Sequence, residues 1–237
     1  MDYEDRISAV EREAQGLVAA LGAGPLDHPV PTCPGWTVTD LATHVGEFTG
    51  FWCHVLCEGT GRPKPPFDSP PAGDAIVAWY RDIADGLLGE LRATPGDTAV
   101  WTWKPDDQSA AFVARRVAHE LAVHRFDAEH ARGHATPIEA DLAADGIDEM
   151  LMIAGRSDAR GQGQTIHLHG TDVPEEWLIT LAAGGIGVER RHAKGDLALR
   201  GAVSDLELVL YQRPPLGPIE HFGDEGALET WYEVFTF

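Results

Sequence analysis

Glu120, His124 and Asp127 follow one another at helical spacing in the stretch Val117–Ala131, Val-Ala-His-Glu-Leu-Ala-Val-His-Arg-Phe-Asp-Ala-Glu-His-Ala. The stretch has no Gly or Pro and is rich in Ala, Leu and Glu, which predicts a helix. Carried back in steps of three and four, the row reads Val113, Val117, Glu120, His124, Asp127, Ala131. Residues at that spacing share one helix face. An otherwise apolar stripe therefore carries a carboxylate and an imidazole one turn apart. Polar groups on a core-facing stripe are costly unless something satisfies them, and a metal ion would. Glu120 and His124, at i and i+4, can reach the same ion from one helix.

A third ligand is suggested by the helix expected over Val38–Cys57. Its row reads Leu41, His44, Phe48, Phe51, Val55, again with a single imidazole in an apolar stripe. Two His and one carboxylate are a familiar catalytic zinc set that leaves the fourth position open. The row does not exclude iron, nickel or manganese. The competing reading of Glu120 and His124 is a buried ion pair or hydrogen bond without metal, an arrangement that is seldom stabilising on balance. His119, His130 and His134 compete for the ligand role. Asp127 is read either as a group that orients a ligand or as a solvated charge near the helix end. Cys33, Cys53 and Cys57 are too few, and odd in number, for a disulfide framework. Cys53 and Cys57, one turn apart, read as small hydrophobes of an apolar helix, with zinc ligation as the alternative.

The elements that must position these groups can be read in order. A helix is expected over residues 3–22, then a loop over 25–36. Thr37 is a plausible N-cap, with Asp40 as its capping-box acid. The second helix is followed by a Pro-rich loop over 59–73, long enough to be a flap. A third helix is expected over 74–93, an irregular segment over 94–108, and Ser109 as the cap of the fourth helix, which ends near Gly133. A fifth helix covers 138–154. From there the pattern alternates like strands at 165–169, 177–181, 187–190 and 196–200. Gly184-Gly185 and Lys194-Gly195 read as hairpin turns. A short helix over 204–212 and a final one over 228–235 close the chain. The fold class expected is α+β. An up-and-down four-helix bundle is followed by a small α+β domain, with residues 1–155 and 163–237 as the two domains.

The 237 residues carry a net charge of −20. Such a surface repels nucleic-acid phosphates and anionic membranes, so neither is an expected partner. No apolar run is long enough to span a bilayer. The acidic N-terminus lacks the features of a secretion signal, and the expected location is cytoplasmic.

Residues 30–46, Val-Pro-Thr-Cys-Pro-Gly-Trp-Thr-Val-Thr-Asp-Leu-Ala-Thr-His-Val-Gly, resemble the N-terminal signature of the mycothiol-dependent maleylpyruvate isomerase family. Residues 119–129 resemble its second signature, and residues 146–149 and 200–213 its C-terminal portion. The resemblance implies a DinB-like metal-binding bundle and a sterol-carrier-like C-terminal domain. It implies a divalent metal, usually zinc, on His44, Glu120 and His124, with mycothiol as the thiol cosubstrate. The activity implied is that of a metal- and thiol-dependent isomerase, or of an S-transferase that leaves the thiol on a small electrophile. A small-molecule or lipid carrier with a structural metal, and a metal hydrolase, are the alternatives. An anionic substrate needs cations. Arg213 is the candidate catalytic arginine by resemblance, with a surface helix-capping role as the alternative. Arg116, one turn before Glu120, is the candidate for cofactor binding. Arg115, Arg125 and Arg200 are expected to be solvent-exposed. The expected partners are the small electrophile and the thiol, and the chain is expected to act as a monomer or homodimer.

Overall fold

In the computed structural model, residues 1–64, 69–155 and 161–235 are described. The expected flap over 59–73 and the expected interdomain segment near 155–163 fall partly on residues outside that set. The chain divides into two compact units, residues 1–136 and 137–237.

The first unit holds α1 (Tyr3–Gly22), α2 (Val38–Glu58), α3 (Ala75–Ala93) and α4 (Ala110–Ala131). α1 packs chiefly on α4 and α3, and α2 on α3 and α4, so the four close into a bundle. α2 and α3 come close at Gly46, where an added Cβ would lie 2.1 Å from the Trp79 ring. α4 is the most deeply enclosed. It buries polar as well as apolar residues around most of its circumference, where the sequence row predicts one buried face.

The start of α2 is fixed as the sequence predicts. The Thr37 N–H donates to Asp40 Oδ2 at 2.8 Å, and the Asp40 N–H donates to Thr37 Oγ1 at 3.3 Å. The Thr37 N–H, together with the Thr37 hydroxyl donating to the same oxygen at 2.7 Å, outweighs the opposing effect of burial and holds the Asp40 carboxyl below its ordinary value. A depressed carboxyl stabilises above the unfolded-state pKa of about 4, and the effect is lost as pH falls through the folded value. Thr37→Ala is expected to cost about 1 kcal/mol at neutral pH, measured by urea unfolding. The loss should shrink when the melt is repeated near pH 3. An unchanged midpoint at pH 7 would show that the cap contributes nothing. Ser109 caps α4, accepting from the Phe112 N–H at 3.2 Å.

The second unit holds α5 (Ala140–Ala154), β1 (Gln164–Gly170), β2 (Glu176–Ala182), β3 (Gly185–Glu189), β4 (Leu197–Gly201), α6 (Val203–Leu210), β5 (Glu220–Gly223) and α7 (Gly226–Val234). The five strands form one sheet in the order β3-β2-β1-β4-β5. α5 packs on α6 and therefore belongs with the sheet, whereas the sequence reading places it with the bundle. The β2–β3 hairpin forms as expected, and its turn lies at Ala183-Gly184 with Gly185 opening β3 at φ 127°. Lys194-Gly195 is not a hairpin. β4 pairs in parallel with β1 instead of folding back on β3. Gly195 is there for room, because a Cβ would sit 2.7 Å from the Leu197 carbonyl oxygen and 3.0 Å from the His167 nitrogen. β5 has four residues, all exposed, and no alternation by which the sequence could reveal it. No helix of the described residues is long and apolar enough to cross a membrane.

Candidate metal centre

α2 and α4 pack against each other in the first unit, and this brings together the imidazoles and carboxylate that the two rows predict. His44 Nε2 lies 3.0 Å from Glu120 Oε1, and His124 Nε2 lies 3.5 Å from the same oxygen. The two imidazole rings are edge-on with centroids 4.9 Å apart. One ligand atom from each of His44, Glu120 and His124 falls within 4.8 Å of the others. The side chains grade from 38% exposed for His44 to 16% for Glu120 and 10% for His124, so the cluster is reached from the His44 side.

The polarity of each ring follows from what lies behind it. His124 Nδ1 is 2.9 Å from Oδ2 of Asp127, a fully buried carboxylate. A carboxylate cannot donate, so the Nδ1–H donates to it. That bond fixes the ring with Nε2 facing Glu120, the nitrogen a metal ion would take on loss of its proton, as in the carboxylate–histidine pairs behind many metal ligands. The Cys33 thiol donates to the same Asp127 oxygen at 3.3 Å. Asp127 is therefore not a solvated charge near the helix end but a buried partner of His124.

Arg116 Nη2 donates to Glu120 Oε2, and its guanidinium lies 5.5 Å from the Phe48 ring centroid. Burial pushes the Glu120 carboxyl up. The Arg116 charge and the bonds from His124 and His44 outweigh it, and the carboxyl stays well below its usual range. Burial likewise opposes charge on His124, but Asp127, Cys33 and Glu120 raise it well above its usual value. A metal ion at Nε2 would have to displace the proton that these surroundings hold there. Two imidazole nitrogens and a carboxylate oxygen fit a divalent transition metal.

Trp36 covers the cluster. Its ring centroid is 5.1 Å from that of His44 and 6.3 Å from that of His124, nearly parallel to the latter at 24°. Cys33 and Trp36 are placed by a tight turn, in which the Trp36 N–H donates to the Cys33 carbonyl at 3.0 Å and Gly35 takes φ 84°. Neither is a candidate from spacing, because a loop has no periodicity. The only sign is the Cys-Pro-Gly-Trp run ahead of the cap.

The remaining candidates are not members of this converging set. Among the described residues, His119 is buried but outside the converging set. His130 stacks on Phe126 at 5.7 Å, and His134 is exposed beyond α4. Cys53 is half-buried in α2, where burial, with Cys57 and Glu90, pushes its thiol up to about 11. Arg213 lies past the end of α6, with Nη1 donating to the Tyr211 carbonyl at 2.8 Å and the guanidinium 5.9 Å from the Tyr211 ring centroid. Arg200 is exposed as expected, paired with Glu220. Arg125 is not. It is buried, with Nε 2.5 Å from Glu13 Oε2 and Nη1 2.7 Å from Glu129 Oε2, because α1 covers this side of α4.

The fold and cluster define an α+β protein with a two-histidine, one-carboxylate centre inside an N-terminal helical bundle. The chain belongs to the family of the mycothiol maleylpyruvate isomerase N-terminal domain, whose model matches residues 7–129 and so includes every residue of the cluster. Two solved structures of mycothiol-dependent maleylpyruvate isomerase are similar in fold at 14% identity. One has a TM-score of 0.57 and coverage of 93% of both chains. The other, a histidine-to-alanine mutant, has a TM-score of 0.56 and coverage of 88% of both. No curated protein sequence matches the chain.

Proposed function

We propose that the chain is a thiol-dependent enzyme of the maleylpyruvate isomerase type, with mycothiol as its thiol and a divalent metal, most simply zinc, on His44, Glu120 and His124. The observation that carries this reading is the convergence of His44 Nε2, His124 Nε2 and Glu120 Oε1, with Asp127 fixing His124 from behind. A divalent ion held there would favour the ionised form of a coordinating thiol at neutral pH.

The chain's own residues prepare the site. Asp127 holds the His124 ring through Nδ1, Arg116 keeps Glu120 ionised, and Trp36 shields the imidazoles from water. A thiolate bound there would supply the nucleophile for an activated double bond: a transient C–S bond, with the electron pair held in the adjoining carbonyl, would let the former double bond rotate as a single bond, and return of the pair would break the C–S bond and release the thiolate unchanged. No oxidant or second substrate is consumed. Arg213 is the proposed cation for the substrate carboxylate. Arg116, already engaged with Glu120, acts on the thiol cofactor only by way of that carboxylate.

The test is turnover of maleylpyruvate by the purified chain with and without mycothiol, before and after chelation. Isomerisation that needs both thiol and metal is expected. Arg213→Ala should raise KM about tenfold or more and leave the metal in place; an unchanged KM removes Arg213 from the site. Stoichiometric consumption of thiol would identify an S-transferase, and turnover without thiol a hydrolase. Copurifying lipid without metal-dependent turnover would identify a carrier.

A further inference from the structure

The second unit contains another convergence of ligand atoms, unrelated to the bundle cluster. β1 alternates Ile166 and Leu168, both fully buried, with His167 and His169, which therefore share the opposite face of the sheet. The antiparallel register with β2 sets Glu176 directly across from His169. His192 comes from the connection between β3 and β4. All three imidazoles meet one oxygen. Glu176 Oε2 lies 2.7 Å from His167 Nε2, 2.7 Å from His192 Nδ1 and 3.3 Å from His169 Nδ1. The three rings stand nearly perpendicular to one another, at 85°, 89° and 84°, so their faces do not stack.

We infer that His167, His169, Glu176 and His192 form a second divalent transition-metal site, of the zinc type, built on the sheet. Hydrogen bonding alone accounts poorly for the arrangement. A carboxylate oxygen has two lone pairs, and three ring nitrogens crowd this one. A cation among them would satisfy all four residues. The four ligand atoms lie within 4.8 Å of one another. Zinc bonds of about 2.0–2.1 Å place tetrahedral donors about 3.3 Å apart, so Glu176 Oε2 would draw back from the nitrogens now 2.7 Å away while more widely spaced donors close in, both by side-chain rotation. His192 has most freedom to adjust, being 77% exposed, while His167 is fixed at 5%.

The donor set selects the ion. Three imidazoles and one carboxylate suit zinc, copper or nickel and do not suit calcium or magnesium, which take oxygen ligands. Four protein ligands close a tetrahedral site, which is the pattern of structural zinc. Here the ion would tie the β3–β4 connection to β1 and β2. A cavity of about 290 Å³ lined by Pro174, Glu175, Glu176, Arg190, Arg191 and His192 gives an entry path. The arginine charges beside it are countered, Arg190 by Asp148 and Arg191 by Glu189.

The test uses the full chain with its bundle cluster disabled by His44→Ala and His124→Ala, metal-stripped and dialysed against zinc. One zinc per chain is expected to remain. Adding His169→Ala and His192→Ala, which alter exposed or half-exposed side chains, should weaken that binding by on the order of 100-fold or more. Calcium should not compete. Absence of zinc from the bundle-disabled chain overturns the inference, as does zinc binding that the added pair leaves unchanged. If the bundle-disabled chain does not fold, the same pair is placed in the wild type, where it should remove one zinc per chain, and an unchanged count overturns the inference. Because the bundle cluster is disabled in the first arm, failure there is separable from failure of the proposed function.

Discussion

His44→Ala is expected to lower thiol-dependent turnover by on the order of 10³-fold and to remove one metal ion per chain, while the fold persists. The size follows from removing one of the three proposed protein ligands, where metal-ion catalysis is worth several kcal/mol. The fold persists because His44 is the most exposed of the three, at 38%. Glu120 keeps Arg116 and His124 beside it when His44 is gone, so no buried charge is stranded. His124→Ala should match the loss of metal and also lower stability, since it removes a hydrogen bond to the buried Asp127. Asp127→Asn preserves shape but takes away the charge behind His124, and should reduce metal affinity by about 10- to 100-fold. Metal content, turnover and circular dichroism on the three variants together check the series. Wild-type metal content and turnover in His44→Ala would defeat the assignment of the centre.

The graded burial of this cluster explains why it was legible in the sequence. His44 and the Glu120–His124 pair each interrupt an apolar row at a single step, and such an interruption survives whatever the helices pack against. The Thr37–Asp40 cap was legible for a similar reason, since all its bonds are local. The Asp127–Cys33 bond joins residues 94 apart, and only the bundle brings them together. The row presupposes one buried face on α4. α4 is enclosed on most sides, so Arg125 and Glu129, off the row, are about as buried as His124. In the second unit, His167 and His169 alternate with apolar residues as any half-solvated strand would. Their meeting with Glu176 and His192 depends on strand register and on the connection after β3. The pairing of β4 with β1 is parallel and non-local, and the glycines near it report crowding as much as turns.

Arg125→Met should destabilise the first unit by about 3–5 kcal/mol, the cost of removing one partner from a buried ion cluster. The guanidinium spans two helices. Nε donates to Glu13 of α1 at 2.5 Å, and Nη1 donates to Glu129 of α4 at 2.7 Å and to the Thr136 hydroxyl at 2.6 Å. Glu13 and Arg125 side chains are 2% and 6% exposed, so water cannot replace the lost charge. The side-chain stem is also packed, because a Cβ on Gly16 would meet Arg125 Cδ at 2.6 Å. Methionine keeps most of that volume, which assigns the loss to charge. The contrast that isolates it is Glu13→Gln combined with Arg125→Met. Relieving one stranded carboxylate should recover part of the stability. Urea unfolding measures both variants, and metal content should not change in either, since neither residue belongs to the His44–Glu120–His124 cluster. A loss below about 1 kcal/mol for Arg125→Met would mean that Glu13 and Glu129 find other countercharge.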